Sequence, residues 1–182
     1  VGEGLGDRPS VAVALLNLGG VLQAQGELVE ARARMEASLE MKYALHDPQR
    51  KGRAHPGIAL TLQALGGVLG AQRELDEARA KLEASLQMEY VLYDPQRKGT
   101  AHPDIAATLV MLGQCVAHQG HLLSGLDRCR QALSMLQTIH AANPNHANII
   151  TTQQVVDQLT QATDFQTLAL AEPARGRRIV LG

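Results

Sequence analysis

Apolar residues recur along this chain at helical rather than alternating spacing, and they do so in blocks. Val11, Leu15, Leu18 and Leu22 lie three or four positions apart, the spacing that gathers side chains on one face of an α-helix. Ile58, Leu62, Leu65 and Leu69 repeat the block. A second stripe follows each of these, Leu28, Ala31, Met35 and Leu39 and then Leu75, Ala78, Leu82 and Leu86. Pro9, Pro56 and Pro103 suit the first turn of a helix, where the missing N–H has no intrahelical partner. Gly26 and Gly120 separate the stripes, and the second helices start from Glu27, Glu74 and His121. Glu27 and Glu30, then Glu74, Asp76 and Glu77, complement the helix dipole at those starts. Asp47-Pro48 and Asp94-Pro95 end the second helices, because a residue before proline is pushed out of the helical region.

The blocks are tandem copies. Pro9, Pro56 and Pro103 are 47 apart (56 − 9 and 103 − 56), and residues 9–55 and 56–102 agree at 31 of 47 positions. A third unit is more divergent, and His146 to Ile150 opens a fourth. One helical hairpin cannot hide its apolar stripe, so the units must stack. The expected fold is an all-α, right-handed superhelical solenoid of tandem helical hairpins. Its units are 9–55, 56–102 and 103–145, with a partial capping unit at 146–163 whose outer side is expected to be polar (Thr151, Thr152, Gln153, Gln154, Gln158, Gln161). Residues 1–8 read as a flexible leader and 164–182 as a short helix and tail. Gly19, Gly20, Gly66 and Gly67 fit close helix approach, since a helical glycine costs about 1 kcal/mol relative to alanine without one.

Composition narrows the possibilities. Hydrophobic residues make up 45% of the chain, yet there is no Trp, one Phe and three Tyr, so the core is aliphatic. A net charge of −1 lacks the basic footprint of nucleic-acid binding, and no apolar run approaches the roughly 20 residues of a membrane span. Cys115 and Cys129 cannot make a disulfide scaffold and fit either a reducing compartment or indifference to one; the expected setting is intracellular, cytoplasmic, with no organelle indicated. No phosphate loop, nucleophile elbow or zinc-protease motif occurs, so neither an enzyme nor a cofactor is expected. Cys115, His118, His121 and Cys129 follow no established zinc spacing, and no metal is expected.

Leu15, Leu18-Gly19, Leu22, Gly26, Ala31, Met35 and Ser38 resemble the tetratricopeptide repeat signature, as do Leu62, Leu65-Gly66, Leu69, Ala78, Leu82 and Ser85. The long period and the His-Pro-Asp-Ile-Ala opening at His102 to Ala106 look like the kinesin light chain-type subfamily. Arg73 replaces the turn glycine, Gly125 an alanine, and Asp157 a glycine of that signature. The resemblance implies a protein-interaction scaffold whose first helices line a concave groove for a peptide or partner subunit. By register the groove residues are Val13, Leu16, Asn17, Gln23, Leu60, Gln63, Val110 and Gln114, with Gly20, Gly67, Gly70 and Ala117 beside them. No Lys or Arg occurs in 9–25, 56–72 or 103–119. A clamp for a carboxylate, which relies on charge-assisted bonds, is therefore not expected. Aliphatic side chains interspersed with Gln suit a peptide backbone and its apolar side chains, or simply packing between repeats. Arg50, Lys51 and Arg53, with Arg97 and Lys98, form a possible basic edge, or solvated loops that neutralise helix C-termini. The alternative role is a structural or self-assembling subunit, a homo-oligomer or part of a larger assembly, using the same apolar surfaces.

Overall fold

A computed structural model describes residues 8–49, 51–94, 96 and 99–176, the last nine without side-chain detail. Among them lie seven helices: α1 (Arg8–Ala24), α2 (Leu28–His46), α3 (Pro56–Ala71), α4 (Leu75–Tyr93), α5 (Pro103–His118), α6 (Leu122–Ile139) and α7 (Ala147–Gly176). No described residue is in a strand. Each first helix packs most closely on the second helix of its own hairpin, and each second helix also packs on the next first helix. Successive first helices touch only lightly. That is the one-dimensional order of a solenoid.

The helix limits follow from local chemistry. Pro56 and Pro103 occupy the first positions of α3 and α5. Glu27, Glu74 and His121 sit at the N-caps of the second helices. Between the helices of each hairpin, Gly26 and Gly120 have positive φ (83° and 94°), and Arg73 holds the same left-handed turn at 66°. The missing signature glycine therefore leaves the turn in place but puts a Cβ where few residues tolerate one. The division expected between a unit at 146–163 and a helix after 164 falls inside α7, which is continuous from Ala147 to Gly176. Of the leader, Arg8 is already helical; residues 1–7 and 177–182 lie outside the described residues.

The core is a chain of clusters at the joints between helices. Ala31, Met35 and Leu39 of α2 pack with Ile58, Leu62, Leu65 and Val68 of α3. Ala78 and Leu82 meet Leu69, Leu112, Cys115 and Val116, and Ile105, Leu109, Leu126 and Leu133 join Ile149 and Val156. Within each hairpin the two helices cross at a small residue. A Cβ on Gly19 would come within 2.7 Å of Met35 Cγ, and one on Gly66 within 2.5 Å of Leu82 Cγ. The third hairpin is tighter still, because Gly125 replaces the alanine. A Cβ there would lie 2.5 Å from Gly113 O and 3.0 Å from Ala117 N, both backbone atoms that cannot rotate aside. Gly125→Ala should therefore cost about 1–3 kcal/mol in a urea titration, as overpacking does. Gly20 has no atom within 4 Å of the same construction, and Gly20→Ala should instead stabilise by about 0.5–1 kcal/mol.

Candidate functional site

Helices α1, α3 and α5 form a row, and the residues expected in the groove lie along it. Val13 and Asn17 edge a shallow depression with Pro9, Ser10 and Ala14. Leu16, Asn17, Gln23 and Leu60 line a cleft of about 480 Å³ between α1 and α3, with Gly20 and Ala64. Gln23 and Gln114 line a second cleft of about 480 Å³ between α3 and α5, floored by Gly67, Gly70 and Met111. Three of the residues named by register are committed elsewhere. Gln63 is half-buried and donates its amide to Thr108 Oγ1 at 2.7 Å. Val110 is half-buried against the third core cluster, and Ala117 is buried beside Gly125. Arg73, one residue past the cation-free stretch, lines the second cleft together with His118. Among the described residues, Arg73 is thus the Lys or Arg side chain lining this cleft.

Behind this row the first two joints, α2 on α3 and α4 on α5, each hide an ionisable side chain. Lys42 of α2 is buried and donates to Thr61 Oγ1 at 2.7 Å, and Thr61 in turn donates to Gly57 O at 2.8 Å. One period later the equivalent residues are Glu89 and Thr108 (42 + 47 and 61 + 47). Glu89 is buried, and its Oε1 stands 2.8 Å from Thr108 Oγ1 and 2.9 Å from Ser85 Oγ. Ser85 Oγ is also 2.7 Å from Ala59 O. A hydroxyl has one proton and cannot donate to two acceptors. A protonated Glu89 resolves the conflict: it donates to Ser85, Ser85 donates to Ala59 O, and Thr108 donates to Glu89. Burial pushes the Glu89 carboxyl up and the Lys42 ammonium down, each toward its neutral form. These two positions are invisible as buried groups in the sequence taken alone, although a Lys-to-Glu exchange at one repeat position is a signal that neither charge is required there.

The corners between units are built from rings. His55 Nδ1 accepts from Gly57 N at 3.1 Å, His102 Nδ1 from Asp104 N at 3.2 Å, and His146 Nδ1 from Asn148 N at 3.3 Å. Each ring stacks on the end of the preceding helix, His55 on His46, His102 on Tyr93 and His146 on His140, with centroids 3.6 Å apart in every case. The structural role expected at these corners is thus a specific one, a helix N-cap made by an unprotonated imidazole. Burial holds the His55 pKa below 6.5, and the nearby His46 and Lys42 add to that. Because folding favours the neutral ring, its contribution is present above about pH 6.5 and is lost as pH falls through the folded-state value. Chemical denaturation should show stability falling between pH 7.5 and 5. His55→Asn, which caps without titrating, should lose less across that range, by about 1 kcal/mol.

The basic edge rests on a buried anion. Asp47 accepts from the backbone N–H groups of Lys51, Gly52 and Arg53 at 2.9, 2.8 and 3.1 Å, and Asp94 accepts from Gly99 N and Thr100 Oγ1. Burial alone would raise the Asp47 pKa, but the three donors and the Arg53 charge bring it below the usual value. This explains why the Asp-Pro-Gln-Arg-Lys-Gly text repeats. Lys51 and Arg53 are exposed, while Arg50, Arg97 and Lys98 lie outside the described residues. Among the described residues no three His, Cys, Asp or Glu side chains gather as a metal site would require. Cys115 and Cys129 are both buried, and burial pushes the Cys129 thiol up to about 11.

Stacked hairpins of this length, crossing at small residues and turning on left-handed positions, define a solenoid of tetratricopeptide-repeat type. Residues 10–88 match the tetratricopeptide repeat family directly. No curated protein sequence matches the chain. Among solved structures it is similar to the crystal structure of BtubC (BKLC) from P. vanneervenii, with a TM-score of 0.70 at 16% identity over 95% of this chain. The match spans 65% of that chain, and at such identity the likeness establishes the fold. Tetratricopeptide repeats are in general protein-interaction modules. Among the described residues no helix is long and apolar enough to cross a membrane.

Proposed function

We propose that this protein is a non-enzymatic scaffold that holds a largely uncharged peptide, or an extended segment of a partner protein, along α1, α3 and α5. The observation that carries this reading is the chemistry of the row itself. Leu16 and Leu60 offer apolar surface around an open cleft, Gln23 and Gln114 offer amides able to pair with a peptide backbone, and the three helices contain no Lys or Arg except Arg8 at the very start. The kinesin light chain-type subfamily is supported by the 47-residue period and by the opening at His102 to Ala106.

Affinity purification from the native source tests the proposal when wild type is compared with Leu16→Asp plus Leu60→Asp. Leu60 is exposed, and Leu16 is half-buried against the α2–α3 cluster, so the added carboxylates disfavour an apolar ligand and the comparison is made with a double variant whose circular dichroism matches wild type. Partners held by the groove should fall at least tenfold in recovery, corresponding to about 1.4 kcal/mol or more. Equal recovery from a double variant with unchanged circular dichroism would refute the groove as the binding site.

A further inference from the structure

Helix α7 runs on where the earlier first helices turn. Gly26, Arg73 and Gly120 hold the left-handed position that follows α1, α3 and α5. The capping histidines His102 and His146 are 44 apart (146 − 102), so the equivalent of Gly120 is Asp164. That residue lies inside a continuous helix, and without the turn the chain does not fold back onto the stack. The part of α7 that matches α5 ends at residue 162 (118 + 44). Residues 163–176 therefore carry the helix beyond the length of a repeat helix, by roughly 20 Å at about 1.5 Å per residue.

The extension is not built like a solvated helix end. Between Asp157 and Glu172 the sequence has one charged residue, Asp164, and beside it stands the chain's single phenylalanine, Phe165, which is 75% exposed. Helix α7 is anchored through Ile149 and Val156. It touches α5 and α6 and, among the described residues, neither α1 nor α3. As a continuous helix it does not reach the groove of its own chain.

The α3–α5 cleft complements these two residues. Gly67 and Gly70 floor it beside Met111, with Gln23 and Gln114 along it. A Cβ built on Gly70 meets no atom within 4 Å, so the space above that glycine is open. An aromatic ring seated there meets the Met111 thioether, a favourable sulfur–aromatic contact. Arg73 lines the same cleft, and neither Arg73 nor Asp164 has an ion-pair partner among the described residues. A nearly uncharged helix with one carboxylate beside its aromatic residue thus meets a cleft lined by one arginine.

We propose that the groove of one copy receives the α7 extension of a second copy, with Phe165 seated over Gly70 and Asp164 paired with Arg73. This occupant rests on the groove's proposed role and makes it specific, as a helix laid into an apolar groove. Groove and extension are different surfaces, so the contact is heterologous: two copies close it by exchanging helices, or it propagates as an open chain. A partner peptide entering this cleft has to displace the extension.

Sedimentation velocity of the 182-residue chain over a concentration series is the test. Association that grows with concentration is expected, weakened about tenfold or more by Phe165→Asp and by Gly70→Leu. Phe165 is exposed and Gly70 faces open space, so both variants keep the fold. Arg73→Asp should weaken association, and Arg73→Asp with Asp164→Arg should restore it, a rescue that a structural role for either residue would not give. A chain that stays monomeric at every concentration, or association untouched by Phe165→Asp and Gly70→Leu, would overturn the proposal. The second arm titrates a labelled peptide of residues 158–172 against the Phe165→Asp chain. Saturable binding, about tenfold or more weaker to a chain that also carries Gly70→Leu, is expected, and no saturable binding overturns the proposal. Library-selected peptides that bind the groove where this one does not would overturn the self-association alone and leave the groove's proposed role standing.

Discussion

Leu65→Ala is expected to lower stability by about 2–5 kcal/mol, whereas Leu18→Ala, at the same place one unit earlier, is expected to cost less than about 1 kcal/mol. The two leucines sit in nearly identical local sequence, each followed by Gly-Gly-Val-Leu. What separates them is the helix that covers one of them. Leu65 is fully buried among Met35, Leu39 and Leu62, while Leu18 is half open. Removing three carbons from a closed core leaves a cavity that the neighbouring helices cannot fill without shifting. Removing them from an open face exposes little that was hidden. Urea unfolding of the two variants measures the difference, and equal losses would mean that units do not stack in this order.

The second large effect concerns the buried carboxyl. Glu89→Met is expected to stabilise the protein by about 1–2 kcal/mol at pH 8 and to give little or no gain at pH 4. The sign follows from linkage. Glu89 has a folded-state pKa raised above its ordinary value by burial, so its contribution is fully present below about pH 4.5 and is lost as pH rises through the folded-state value. Methionine fills a similar volume and needs no proton. The third unit already has Leu136 at this position (89 + 47). Thr108→Val should act oppositely and cost about 1–3 kcal/mol, because it removes the donor at 2.8 Å from Glu89 Oε1. Denaturant midpoints of the three proteins at the two pH values decide the matter.

Repetition is what made the fold legible. A 47-residue period with 31 identities marks out the paired helices of the first two units and the order in which they stack before any contact is known. Pro56 and Pro103 mark helix starts and Asp47 and Asp94 helix ends, because each acts through local backbone geometry. The groove was less legible. Register places side chains on a face, but Gln63 and Val110 show that neighbours from the next helix decide whether a residue on that face is free. The Glu89 relay, the ring-stacked caps and the Asp47 anchor involve partners from separate segments, and composition or spacing carries no direct trace of them. Their common trace is recurrence: His55 and His102, Asp47 and Asp94, and Thr61 and Thr108 all return at the same offset. The extent of α7 was less legible, because no repeat follows residue 146 to mark where that helix ends: the expected capping unit at 146–163 and the short helix after it are one helix to Gly176.

The most direct test of the groove reading is selection of a random displayed peptide library on the full chain, followed by titration of the enriched peptides. Uncharged sequences with apolar anchors are expected, with affinities nearly independent of salt and at least tenfold weaker for Leu16→Asp plus Leu60→Asp. Enrichment of acidic peptides whose binding falls steeply with salt and survives the double variant would contradict it. That outcome would move the binding site to the Lys51 and Arg53 edge.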